Sequence, residues 1–184
     1  MKELSLNILD VAENSLKAGA ALTEITISED ADKLTVTIGD DGCGMSEETL
    51  LSVTNPFYTT RTTRKVGLGI PLFKMAAEQT GGSFSVVSKT EEDDADGHGT
   101  TVTATFIKNH LDFTPLGDVV STMTTLIQGH PDRDFLFSHK GCGLDVSLDT
   151  RELREVLDDV PLSSFEVLTW IKENLEEQYN SISK

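Results

Sequence analysis

The 184-residue sequence predicts an α+β fold. Three observations support it: an amphipathic helix at the start of the chain, a β-hairpin directly after it, and two more strands that follow a second helix. These elements are expected over residues 3–18, 24–28, 33–39, 68–79, 83–88 and 100–107. Helices and strands therefore alternate irregularly, which is typical of helices packed on one mixed sheet.

The first helix has two chemically distinct halves. Its apolar residues occupy one half of the helical wheel, whereas Asn7, Asp10 and Asn14 lie within about 60° of one another on the other half. A solvated helix face is the simpler interpretation. The functional alternative is a metal and water site, because the Asn14 amide oxygen is a suitable Mg²⁺ ligand and the Asp10 carboxylate, one turn earlier, could orient or deprotonate water.

The hairpin ends in an acidic residue followed by two glycines. Asp40 closes the second strand, and Gly42 and Gly44 follow it. A carboxylate in this position can accept a hydrogen bond from an exocyclic amine, while the glycines allow a flat ring to approach the backbone. The alternative is an ordinary Asp-Gly turn.

A second glycine pair opens the predicted helix at residues 68–79. The backbone N–H groups at a helix start attract phosphate, and the preceding loop at residues 54–66 is rich in threonine and arginine. Three cations lie just before the glycines, namely Arg61, Arg64 and Lys65. These positive charges are suited to bind a triphosphate. The alternative is that they only keep a surface loop hydrated.

A third glycine pair precedes the last strand of this part of the chain. Gly97 and Gly99 flank His98, and the strand begins at Thr100. The Thr100 hydroxyl is placed to share a water molecule with a bound base and with Asp40. Ser46 is predicted to cap a short helix after the first glycine turn.

The composition and net charge argue against several classes of function. The net charge is −16, which argues against direct binding of nucleic acid. No apolar run reaches the roughly 18 residues of a membrane span and no secretory leader is recognisable, so a cytoplasmic protein is expected. The two cysteines, Cys43 and Cys142, are expected to be reduced thiols.

The pattern changes after Asn109. Helices are predicted at about 117–128, 151–158 and 165–178, with a hairpin formed by residues 135–139 and 144–148. We therefore divide the chain into a nucleotide-binding domain at residues 1–108 and a small α/β extension at residues 109–184. The extension could form a homodimer face, cover an edge of the sheet, dock a partner protein, or serve only as structure.

Five segments together resemble the GHKL superfamily, the Bergerat-fold ATPases. Residues 13–20 resemble the N-box of the mismatch-repair branch, residues 40–45 the G1 box, residues 55–61 the phenylalanine motif of a kinase ATP lid, residues 67–69 the kinase G2 box, and residues 97–101 the last glycine box. The resemblance implies a two-layer α/β sandwich in which helices cover one face of a mixed sheet. It extends over residues 4–107.

The resemblance also implies ATP and Mg²⁺ as cofactors. Asn14 matches the metal ligand and Asp40 the adenine-binding acid, while Asp10 takes the position of the family's catalytic glutamate with a side chain one methylene shorter. Glu13, about 100° away on the wheel, is the second candidate base. The implied nucleotide-binding residues are Asn14, Asp40, Gly42, Gly44, Met45, Phe57, Arg61, Arg64, Lys65, Gly67, Leu68, Gly69 and Thr100.

Two functions follow from this resemblance. The first is an ATP-dependent protein kinase acting on a separate protein partner, since none of the four histidines begins a His-Glu or His-Asp helical motif. The second is an ATP-gated interaction switch, or a slow ATPase, without protein phosphorylation. A degenerate scaffold is less consistent with intact glycine boxes.

Overall fold

A computed structural model describes residues 3–54, 68–94 and 96–181 of the chain. Within these ranges it contains six helices and six strands. The helices are α1 (Leu4–Lys17), α2 (Glu47–Thr54), α3 (Gly69–Gln79), α4 (Val119–Gly129), α5 (Thr150–Leu157) and α6 (Phe165–Ser181). The strands are β1 (Leu22–Glu29), β2 (Lys33–Asp40), β3 (Ser83–Lys89), β4 (Gly99–Ile107), β5 (Asp134–Gly141) and β6 (Leu144–Asp149).

The six strands form one mixed sheet in the order β3-β4-β2-β1-β5-β6. The β1 and β5 strands run parallel, and the other neighbouring pairs are antiparallel. The predicted hairpin is present, with Ile25 opposite Ile38. The α+β class and the mixed sheet are thus confirmed.

The core lies between one face of this sheet and the helices. Alternate residues such as Ile25 and Ile27 are fully buried, whereas Thr26 and Ser28, each next in the chain, are exposed, as the period of two requires. The helices contribute Ile8 of α1 and other apolar side chains to the same core. The opposite face carries hydroxyl groups in cross-strand pairs, and it is therefore polar.

The extension at residues 109–184 adds its two strands to the same sheet. Strand β5 pairs with β1 from Leu22 to Ser28, with Thr23 opposite Phe135, and β6 pairs with β5. Of the roles considered for this segment, covering a sheet edge is thus realised. Its independent role in interaction or dimerisation stays a prediction.

Polar contacts also join the extension to the first 108 residues. His130 Nε2, after α4, lies 3.1 Å from Glu13 Oε1 on α1. Buried His139 on β5 lies with its Nε2 3.4 Å from Glu29 Oε1 of β1, and burial lowers the pKa of this imidazole. Side chains of the extension consequently contact both α1 and β1 of the first 108 residues.

Truncating Phe137 to alanine should destabilise the whole chain, because this fully buried β5 side chain belongs to the common core. We expect a loss of about 3–5 kcal/mol in the free energy of unfolding. Leu136→Ala, on the half-exposed face of the same strand, is the matched control and should cost less. Urea unfolding followed by both circular dichroism and Trp170 fluorescence measures the effect. Two separate transitions, with only one moved by Phe137→Ala, would contradict a shared core.

In the described ranges of the chain, none of the helices combines the length and apolar character needed to cross a membrane.

Candidate nucleotide-binding site

A pocket opens where α1 and the start of α3 meet the ends of β2 and β4. Its walls are mostly apolar, and only a few polar side chains line it. The lining residues are Val11, Asn14, Ser15, Ala18, Asp40, Gly44, Met45, Ile70, Thr100 and Val102. This combination of apolar walls and few polar groups is typical of a small-molecule site.

The Asp40 carboxylate is the most strongly fixed group in the pocket. Its Oδ2 accepts a 2.6 Å hydrogen bond from the Ser15 hydroxyl on α1. Its Oδ1 accepts hydrogen bonds from the backbone N–H groups of Gly42 at 3.0 Å and Thr100 at 3.3 Å. Carboxylate oxygens have about four acceptor positions, so one remains for a ligand amine. The carboxylate is therefore both oriented and able to accept from a ligand.

The adjacent Asp41 carboxylate binds backbone N–H groups outside the pocket. Its Oδ1 accepts from the backbone N–H groups of Ala21 and Leu22, at 2.8 and 2.9 Å, where β1 begins. It is exposed and does not line the pocket. The structure thus separates two neighbouring carboxylates into a pocket residue and a turn residue.

Gly44 is required by the close approach of two backbone segments. It has φ of +68°, and a Cβ atom there would lie only 1.8 Å from the Lys89 carbonyl oxygen at the end of β3. At Gly42 a Cβ would lie 2.9 Å from Ala18 Cβ. Both glycines therefore let the β2 turn close against its neighbours.

Thr100 contributes its backbone to the pocket as well as its hydroxyl. Its N–H group binds Asp40, and its Oγ1 lies 2.8 Å from the Ser88 hydroxyl. Ser88 Oγ in turn accepts from the Met45 N–H group at 2.8 Å. The expectation that the Thr100 hydroxyl shares a water molecule with Asp40 stays a prediction, and its protein contact is with Ser88.

The predicted polar stripe of α1 divides into different environments. Asn14 is half-buried in the pocket, and Asp10 is exposed one turn away. Asn7 is buried at 3% exposure. The stripe is therefore not solvated along its whole length. Glu13 points to His130 instead of lining the pocket. Asp10 lies one turn from Asn14 whereas Glu13 is paired with His130, and the catalytic roles of both residues stay predictions.

Gly69, the second glycine of the second pair, lies beside α1. Helix α3 begins at Gly69, where a Cβ atom would lie 3.0 Å from Asp10 Cβ, and Leu68 before it is 65% exposed. The start of α3 therefore packs against α1 at Asp10, one helical turn before Asn14. Five predicted nucleotide-binding residues lie outside the described residues, and their roles stay predictions: Phe57, Arg61, Arg64, Lys65 and Gly67.

Two further residues contact the site that sequence reasoning did not select. Ser15 follows Asn14 in the N-box-like segment, and only its proximity to that motif could have indicated it. His98 lies between the two glycines of the last box, and its Nδ1 is 2.7 Å from the Gly42 carbonyl oxygen. Neither contact produces a periodic pattern in the sequence, because each joins a turn or helix to a residue distant along the chain.

The loop before His98 is held by its own ion pair. The Asp94 carboxylate lies 3.0 Å from Lys89 Nζ and accepts from the Gly97 N–H group at 3.0 Å. The hydrogen bond and the charge of Lys89 lower the pKa of the Asp94 carboxyl. Asp94 therefore links the end of β3 to the residue that precedes His98.

Comparisons with known proteins agree with this geometry. Residues 2–111 match the family described as "Histidine kinase-, DNA gyrase B-, and HSP90-like ATPase". Among curated proteins, the chain is similar to sporulation kinase C of Bacillus subtilis, with 26% identity over 89 residues, and to the heme sensor protein HssS of Staphylococcus saprophyticus, with 34% over 88 residues. These stretches cover 48% and 47% of this chain but only 20% and 18% of those proteins.

Solved structures show the same fold. The Aquifex aeolicus MutL ATPase domain complexed with ADP has 15% identity and a TM-score of 0.54, over 85% of this chain and 69% of that chain. The N-terminal domain of a DNA repair protein has 17% identity and a TM-score of 0.54, over 81% and 52%. Because the family match spans more than half of the sequence, this chain belongs to the histidine kinase-, DNA gyrase B- and HSP90-like ATPases, the GHKL superfamily.

Proposed function

We propose that this chain binds ATP with Mg²⁺ and transfers the γ-phosphoryl group to a separate protein partner. The observation that carries the nucleotide step is the Asp40 carboxylate, oriented by Ser15, Gly42 and Thr100 within the pocket. Similarity to sporulation kinase C supports the transfer step. The proposal is for a kinase-type ATPase domain whose acceptor lies on another polypeptide.

Adenine is the part of ATP that the described pocket recognises. Its exocyclic amine would donate to the remaining acceptor position of Asp40, and the ring would pack against apolar groups such as Met45, Ile70 and Val102. The half-buried Asp40 carboxylate would select a ring with a donor at that point. Guanine presents a carbonyl oxygen there and would be disfavoured.

The donor set also fits Mg²⁺. This ion usually takes only one or two protein ligands and completes its shell with phosphate oxygens and water. In the described part of the chain, no three His, Cys, Asp or Glu residues are grouped to hold a metal alone. Asn14 would therefore hold Mg²⁺ together with the nucleotide, and the ion would neutralise phosphate charge during transfer.

The transfer step needs positioning more than covalent chemistry from the protein. The acceptor oxygen or nitrogen forms a bond to the γ-phosphorus, the bond to the bridging oxygen breaks, and ADP leaves. Asp10, exposed beside Gly69 and one turn of α1 before Asn14, would receive the acceptor's proton or orient water. With water as acceptor, the same site would be a slow ATPase.

A second candidate function is an ATP-gated interaction switch. One observation favours it: α1 carries both Asn14 in the pocket and Glu13, which is paired to His130 next to α4. A shift of α1 on nucleotide binding would therefore reach the extension directly. In this case ATP binding would change partner affinity without a phosphorylated product.

Incubation of the pure protein with γ-labelled ATP, Mg²⁺ and an extract of its native host distinguishes the two functions. A labelled partner band that disappears with Asp40→Asn supports the kinase. Tight ATP binding without such a band, with or without slow phosphate release, supports the switch.

Asp10→Asn should lower the chemical rate by about 100-fold while leaving ATP affinity nearly unchanged, since a positioned acid or base contributes at least that much. An unchanged rate would remove Asp10 from the mechanism.

A further inference from the structure

We propose that His98 is a positioning residue for the nucleotide, acting through the Gly42 turn on the Asp40 carboxylate. This inference rests on the proposed binding of ATP and adds a residue to that site. It depends on one hydrogen bond, between His98 Nδ1 and the Gly42 carbonyl oxygen at 2.7 Å.

The direction of that hydrogen bond follows from its partners. A carbonyl oxygen can only accept, so His98 Nδ1 must carry the proton. The imidazole is thereby fixed with an Nδ1–H group pointing at the β2 turn. His98 is half-buried, which partly shields the bond from water.

Both backbone polar groups of Gly42 form hydrogen bonds. Its carbonyl oxygen accepts from His98, and its N–H group donates to Asp40 Oδ1 at 3.0 Å. The next N–H group, that of Cys43, donates to the Ala18 carbonyl oxygen at 3.0 Å at the end of α1. The orientation of Asp40 thus depends on where the Gly42 turn is placed.

The same imidazole lies in the turn that supplies the other backbone donor to Asp40. Thr100, two residues after His98, donates its N–H group to Oδ1 at 3.3 Å. Between them Gly99 has φ of +130°, and a Cβ atom there would lie 1.9 Å from the Asp40 carbonyl oxygen. His98 therefore links the two turns whose N–H groups orient the carboxylate.

Removing the donor should weaken nucleotide binding by a moderate factor. One hydrogen bond has a modest net contribution, so we expect ATP and ADP affinity to fall roughly three- to tenfold in His98→Phe. In His98→Asn the Nδ2–H group occupies nearly the position of Nδ1–H, and affinity should stay within about twofold of wild type. In His98→Gln the donor lies one bond further away, and affinity should fall as in His98→Phe. His110→Phe, at an exposed histidine that lies outside the pocket lining, is the matched control.

Isothermal calorimetry with ATP and ADP, together with thermal unfolding of each nucleotide-free variant, tests the proposal. Rescue by His98→Asn but not His98→Gln, at equal stability, supports it. Equal affinity of wild type and His98→Phe overturns the positioning role alone, and so does an equal loss in all three variants. In the nucleotide-free protein, ¹⁵N shifts should show His98 with the proton on Nδ1, and a proton on Nε2 alone would also overturn it. No binding by wild type would instead overturn the proposed function and the role of His98 with it.

Discussion

Replacing Asp40 by asparagine should abolish measurable ATP binding. The change removes the charge and substitutes a donor for one carboxylate oxygen, while Ser15, Gly42 and Thr100 all present donors to this side chain. If the amide oxygen keeps the Gly42 and Thr100 N–H groups, the new N–H₂ group takes the place of Oδ2, where it can donate to the Ser15 hydroxyl but can no longer accept from the adenine amine. Hydrogen bonds to a charged group contribute about 1.5–3 kcal/mol, and an unpaired buried donor adds a cost of similar size. We expect affinity to fall by at least roughly 100-fold in calorimetry.

Asp41→Asn is the matched control because it makes the same chemical change one residue later. Asp41 binds the backbone at the start of β1 and does not line the pocket. It should lose some stability and keep ATP affinity within about twofold. Similar losses of affinity in both variants would contradict the assignment of Asp40, and so would wild-type affinity in Asp40→Asn.

The elements with strong periodicity could be predicted from the sequence alone. Helix α1 was expected at residues 3–18 and spans Leu4–Lys17, because its apolar residues recur at helical spacing. The β1–β2 hairpin and the start of α2 at Ser46 also follow the prediction. Ser46 Oγ accepts from the Thr49 N–H group at 3.3 Å, as a helix cap should.

The place of the extension in the sheet could not be predicted. The β5–β6 hairpin itself is local and has a turn signal, with Cys142 and Gly143 both at positive φ. Its pairing with β1 is different, because Thr23 and Phe135 are more than 100 residues apart. Side-chain periodicity tells which face of a strand is buried but not which strand lies next to it.

In the site, too, the residues of sequence motifs could be predicted, whereas the contacts between distant segments could not. The order of the glycine turns identified Asp40, Gly44 and Thr100, and all three line one pocket. The same pattern did not reveal Ser15 and His98, which hold the carboxylate and its turn. These contacts depend on the distance between turns that are remote in sequence, and only the folded chain brings them together.

Replacing Asn14 by alanine should remove the Mg²⁺-dependent part of ATP binding and turnover. The amide oxygen is lost, while alanine is a better helix former and leaves α1 intact. Wild type and variant should therefore bind ATP with similar affinity in EDTA, and diverge by roughly 10- to 100-fold when saturating Mg²⁺ is added. Asn180→Ala, near the exposed end of α6, is the matched control and should respond to Mg²⁺ like wild type. The difference between the two conditions isolates the metal from the nucleotide, because pocket damage would weaken binding in EDTA as well. An equal Mg²⁺ response in wild type and Asn14→Ala would show that Asn14 lines the pocket without holding the ion.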